Sequence, residues 1–168
     1  MSNFTFSSSD DTPNTASEPT VLGQLRSIIT QKVTRPDIYV QVPERPGVMV
    51  RVSPNITQNQ MRAWRKNAGE ETKKGMDTLK FSCQLIAATC TGIVVNDEVV
   101  TDDKGVELTF ASPEIMEMTG TTRPHPDCVH AFFGLEPHIE AAAVAIIEAA
   151  GYGDNVEALD PTKTRSSN

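Results

Sequence analysis

The sequence predicts an α+β fold that is mainly α-helical: about six helices, a β-hairpin near residues 37–53 and a short hairpin near 93–110, between unstructured ends. Three observations predict it. Apolar residues recur at helical spacing in several segments. Two runs alternate with a period of two around a Pro- and Gly-rich turn. Both ends are polar and lack any periodicity.

Residues 1–17 are rich in Ser, Thr, Asp, Asn and Pro, and "ALDPTKTRSSN" (158–168) is similar, so both are expected to be disordered and the single folded domain to span about 18–157. Ser17 is positioned to cap a first helix, "EPTVLGQLRSIITQK", with Pro19 in its first turn; Val21, Leu22, Leu25, Ile28 and Ile29 form one apolar face. In "DIYVQVPERPGVMVRV", Ile38, Val40 and Val42 alternate with Tyr39 and Gln41, and Val48, Val50 and Val52 alternate with Met49 and Arg51, which reads as a hairpin with one buried face.

Thr57 and Gln60 fit a capping box at the start of the next helix, "QMRAWRKNA". Met61, Trp64 and Ala68 share one face; Arg62, Arg65 and Lys66 share another. The only tryptophan is therefore an anchor to the core, and the basic face is open to a protein partner rather than interleaved with an aromatic for stacking on bases. A longer helix, about 77–91, starts at Asp77 or Thr78 and carries a seam of Met76, Leu79, Cys83, Ile86 and Cys90. "IVVNDEVV" is a tight hairpin around Asn96-Asp97, and "VELTF" alternates Val106, Leu108 and Phe110 after the turn "TDDKG". "SPEIMEMTG" is a short helix with Ser112 as cap, Pro113 first and Gly120 last. A further short helix lies in 123–134, ended by Gly134. In the last helix, 136–151, Ile139, Ala143, Ile146 and Ala150 line one face, and Gly151 stops it.

Composition narrows the function. The net charge of −7 argues against a duplex-binding protein. Charge is also segregated: residues 22–74 hold ten basic and four acidic side chains, residues 96–160 two basic and fourteen acidic. Such a layout is satisfied internally, by a partner, or by self-association into a homo-oligomer. Three cysteines with no C-x-x-C suit a reducing cytoplasm better than a disulfide framework. No apolar run is long enough for a membrane span, and the first residues lack the basic and apolar regions of a secretory signal.

Candidate chemistry is thin. "HPDCVH" places His125, Cys128 and His130 together, but a zinc site wants four ligands at recognisable spacing. Cys83 and Cys90 are about 10 Å apart along a straight helix, too far to bond. "DDKGVE" lacks the ligand pattern of a calcium loop. No phosphate-binding glycine loop, nucleophile elbow or metalloprotease motif occurs. These residues point to no enzyme, no cofactor and no metal.

The order of segments is informative as a whole. A hairpin leads into "QMRAWRKNA", then "FSCQLIAATCTGI" and a short hairpin, then "LTFASPEIMEMTG", "DCVHAFFG" and "HIEAAAVAIIEAAGYG". Over roughly residues 35–153 this run resembles the tail assembly chaperones of long-tailed, siphovirus-type bacteriophages of actinobacterial hosts. The elements that carry the resemblance are Trp64 with Lys66, Cys90-Thr91-Gly92-Ile93, Phe110 ahead of Ser112-Pro113, Phe132-Phe133-Gly134 and Ala149-Ala150-Gly151. The resemblance implies a non-enzymatic protein of the host cell cytoplasm that binds the tape measure protein and keeps it soluble while tail tube protein polymerises around it. It also implies a fraction extended by programmed frameshift, which the polar C-terminal tail would suit. No nucleic acid or membrane is implied as a partner. A chaperone of helical segments needs apolar grooves, and Met-bearing surfaces adapt to varied partners. Ile115, Met116 and Met118 are the candidates to flank such a groove, and Arg62, Arg65 and Lys66 to meet acidic stretches of a partner. The alternative is a structural virion protein, a tail or head–tail connector subunit.

Overall fold

A computed structural model describes residues 20–153. The proposed cap Ser17, Pro19 and both polar tails lie outside the described residues. The chain divides between Val33 and Thr34 into two compact units.

The described part of the first unit is helix α1 (Val21–Ile29). Thr20 is its cap, in place of Ser17: Gly23 N donates to Thr20 Oγ1 at 3.0 Å. The amphipathic face is present as expected, but none of its residues is buried. Thr30 closes the helix by donating its hydroxyl back to Arg26 O.

Among the described residues, the second unit joins a four-stranded antiparallel sheet to five helices. Strands β1 (Ile38–Gln41), β2 (Val48–Val52), β3 (Cys90–Val95) and β4 (Glu98–Val99) lie side by side in chain order. The β1–β2 hairpin is in the register that the alternation requires, with Val40 opposite Val50 and Ile38 opposite Val52. The two hairpins are not separate. β2 also pairs with β3, setting Val50 opposite Ile93 and Val48 opposite Val95, with a bulge at Arg51/Val52. The β3–β4 turn has Asn96 and Asp97 both at positive φ, 48° and 67°, the conformation that a two-residue hairpin of this kind demands.

Helix α2 (Gln58–Asn67) begins with the complete Thr57–Gln60 capping box. It buries Met61 and Trp64, with Ala68 just beyond its end. Helix α3 (Thr78–Thr89) is capped by the Asp77 side chain, which accepts from Lys80 N. Burial extends beyond the expected seam to Phe81, Ser82, Leu85 and Thr89. The buried hydroxyls are satisfied: Ser82 donates to Thr78 O and Thr89 to Leu85 O. The helix ends earlier than its seam suggests, because Cys90 is the first residue of β3. Helix α3 packs chiefly on α6 (Glu136–Ala149), which buries Ile139, Ala142, Ala143 and Ile146.

The alternation at 106–110 does not make a strand. Thr101 and Glu107 form a single bridge, and only Leu108 and Phe110 turn into the core. Helix α4 (Pro113–Thr119) has Ser112 at its cap position, but the Ser112 hydroxyl accepts from Thr109 N rather than from the helix. Between α4 and α5 (Val129–Phe133) the segment 124–128 forms an irregular turn that buries Cys128. Gly120, Gly134 and Gly151, which follow α4, α5 and the end of α6, all have positive φ (66°, 84° and 93°), a conformation that stops a helix at little cost to glycine.

Candidate partner-binding groove

The sheet and the two short helices α4 and α5 enclose an open apolar groove of about 430 Å³. Its lining comes from Val48 of β2, Ile93 and Val95 of β3, Val100 just after β4, Ile115, Met118 and Thr119 of α4, and Ala131 and Phe132 of α5, together with Arg45.

Each wall is fixed from beneath. Ile115 is buried, so α4 is anchored at its middle, while Met118 on the next turn stands 67% exposed. Phe132 meets Phe110 edge-to-face, with ring centroids 5.1 Å apart and planes at 81°, and lies 6.2 Å from Phe133. An aromatic cluster of this geometry holds the α5 wall against the core.

The polar groups at the groove are already engaged. Thr119 donates its hydroxyl to Ile115 O at 2.8 Å. Arg45 donates to the carbonyls of Phe132 and Ala131, both at 3.3 Å, and so ties the β1–β2 turn to α5. What remains exposed is mainly hydrocarbon. Such a surface gains free energy by burying apolar area, about 25 cal/mol per Å², and holds no nucleophile or base aimed at a ligand. A second cleft of about 450 Å³ lies at the β1–β2 turn, with Gln41, Pro43, Asn96 and Asp97 in its lining.

Of the residues singled out in the sequence, Ile115 and Met118 line the apolar groove. Met116 instead packs, half-buried, against the core. Arg62, Arg65 and Lys66 are exposed on α2, opposite the buried Trp64, and are not part of the groove lining. The lining residues from β2, β3 and α5 carried no local signal of their role. They meet only because β2 pairs with β3 and the chain returns through α5.

No thiol or histidine is among the residues that line this groove. Cys83 is fully buried, and burial, reinforced by Asp77, Asp127 and Glu136, pushes its thiol up to about 12. Burial also raises the Cys90 thiol. Cys128 lies 3.4 Å from the Thr119 hydroxyl. Burial, with the nearby charges of Lys80 and Arg123, lowers the His125 pKa. His130 Nε2 is 3.4 Å from Glu136 Oε1. Among the described residues no group of three or more His, Cys, Asp or Glu is placed to hold a metal ion, and no helix is long and apolar enough to cross a membrane.

Compared with protein-family models, curated proteins and solved structures, the chain finds no match.

Proposed function

We propose that this chain is a non-catalytic tail assembly chaperone of a long-tailed bacteriophage. It acts in the host cell cytoplasm, binds helical segments of the tape measure protein and keeps that protein soluble while the tail tube assembles. The segment order supports this reading, and the observation that carries it is the apolar groove beside Ile115 and Met118. Amphipathic helices bind in such grooves through residues at i, i+3, i+4 and i+7. A methionine at the rim adapts to differing side chains along a long partner. The basic face of Arg62, Arg65 and Lys66 supplies a second, electrostatic contact to acidic stretches of the same partner.

The test is co-expression with the long helical protein encoded downstream. The tagged chaperone should co-purify with that protein and keep it soluble, and Met118→Glu should abolish both while leaving the chaperone folded. A long protein that is soluble alone and never co-purifies rejects the reading. Purified particles then provide the next observation, because a structural virion subunit would be present in them at high copy.

A further inference from the structure

The apolar groove carries a single charge. Among the described residues, Arg45 is the only charged side chain in its lining; the rest is apolar apart from Thr119, whose hydroxyl donates to Ile115 O. The Arg45 guanidinium is held in place. Its Nε donates to Phe132 O and its Nη2 to Ala131 O, carbonyls in the last turn of α5, where helical carbonyls lack partners within the helix. These contacts leave Nη1 and the second N–H of Nη2 without an acceptor among the described residues. Nor is the charge neutralised there. Glu44, next in sequence, is outside the groove lining, and its Oε1 lies 4.0 Å from His138 Nδ1 on α6. Asp97 lines the adjoining cleft with Arg45, but among the described residues no ion pair joins them.

An occupant that covers the apolar lining also takes Arg45 out of water. A charge covered without a counter-charge costs free energy, and a carboxylate set against it offsets that cost. Arginine suits this task, because the free N–H groups of Nη1 and Nη2 match the two oxygens of a carboxylate. We propose that the groove selects a helical segment whose apolar stripe is bordered by Asp or Glu, bound through Arg45, and rejects the same segment with Lys or Arg in that place. Attraction of the acid and repulsion of the base act at one residue, which gives the groove a discrimination that burial of hydrocarbon alone lacks. This requirement is separate from the basic face of α2, since Arg62, Arg65 and Lys66 are not in the lining.

The inference rests on the chaperone reading and specifies the segment that the groove would take. Its test needs only the full chain and synthetic peptides, so its failure and a failure to co-purify with the long helical protein are separate results. The probes are fluorescein-labelled helical peptides of about 16 residues, with Leu at i, i+3, i+4 and i+7 and either Glu or Lys at both borders of that stripe. Fluorescence anisotropy at physiological salt should show the Glu peptide binding about tenfold more tightly than the Lys peptide. The protein's net charge of −7 favours the opposite order at long range, so a preference for Glu reports a local contact. Arg45→Gln should erase the preference and Arg45→Glu should invert it; binding of the Lys peptide by the latter also shows that the groove is still formed. Met118→Glu, at an exposed groove position, should abolish binding of the Glu peptide. A wild type that binds neither peptide or does not prefer Glu, a preference for Glu that survives either Arg45 substitution, or full binding by Met118→Glu overturns the proposal.

Discussion

The guanidinium of Arg51 lies across Gly92 so closely that a β-carbon at Gly92 would sit 2.9 Å from Arg51 Nη2. Arg51 cannot easily step aside. It donates from Nη2 to Thr91 O at 2.8 Å and from Nε to Thr91 Oγ1 at 3.0 Å, pairs with Glu107, and has Asp37 3.7 Å from Nε. Gly92→Ala should therefore destabilise the protein by about 1–3 kcal/mol, the usual range for overpacking, measured by urea denaturation. In an Arg51→Ala background the same substitution should cost much less, and additive penalties would contradict this account.

Trp64 and the basic side chains around it should separate cleanly in a stability assay. Trp64 is 7% exposed, so Trp64→Ala should cost about 3–5 kcal/mol. Reversing Arg62, Arg65 and Lys66 to Glu together should leave the fold intact, since exposed substitutions usually stay within about 0.5 kcal/mol each. Thermal melts of the two variants give the comparison; equal losses would mean that the basic face is part of the fold.

The N-terminus of α2 offers a smaller, sharper test. Gln60 N donates to Thr57 Oγ1 at 3.2 Å, and Thr57 N donates to Gln60 Oε1 at 2.9 Å. Thr57→Ala removes the first of these and should cost about 1 kcal/mol. Thr57→Ser should recover most of it, as read from denaturation midpoints.

Alkaline pH should weaken the protein through Cys83. Its thiol titrates near 9.0 when unperturbed and at about 12 in the fold. The folded state then holds the proton more tightly than the unfolded chain. The stability this provides is fully present below pH 9 and is lost as pH rises from there toward 12. Cys83→Ala should start from a lower stability but show a shallower decline across that window. Parallel declines in the two proteins would assign the loss to other groups.

Local chemistry was readable in the sequence wherever one residue sets one hydrogen bond or one dihedral angle. The Thr57–Gln60 box, the Asp77 cap, the Asn96-Asp97 turn and the stop at Gly120 are of this kind. Cys90 was harder. It continues the seam of α3 at the right interval, yet it opens β3, because a short apolar run fits a buried helix or a buried strand equally well. The pairing of β2 with β3 joins positions about 40 residues apart, and no periodicity within either segment reports it. The groove was half legible for the same reason. Ile115 and Met118 sit on a helix with clear signals, whereas Val48, Ile93 and Phe132 become its lining only through that long-range pairing. Val106–Phe110 misled through its alternation: Leu108 and Phe110 are buried as a strand would bury them, but β4 is two residues long and offers almost no ladder to extend.

Helix α3 passes into β3 with no residue between Thr89 and Cys90. Ser53 N donates to Thr89 O at 2.9 Å, stitching this junction to the end of β2. The central helix and a central strand are thus one continuous piece, which runs from the helix that packs on α6 to Ile93 and Val95 of the groove lining. Anyone inserting a reporter peptide or choosing new chain ends for a permuted version should leave this seam whole and use the exposed turn at 70–75, where nothing comparable would be cut.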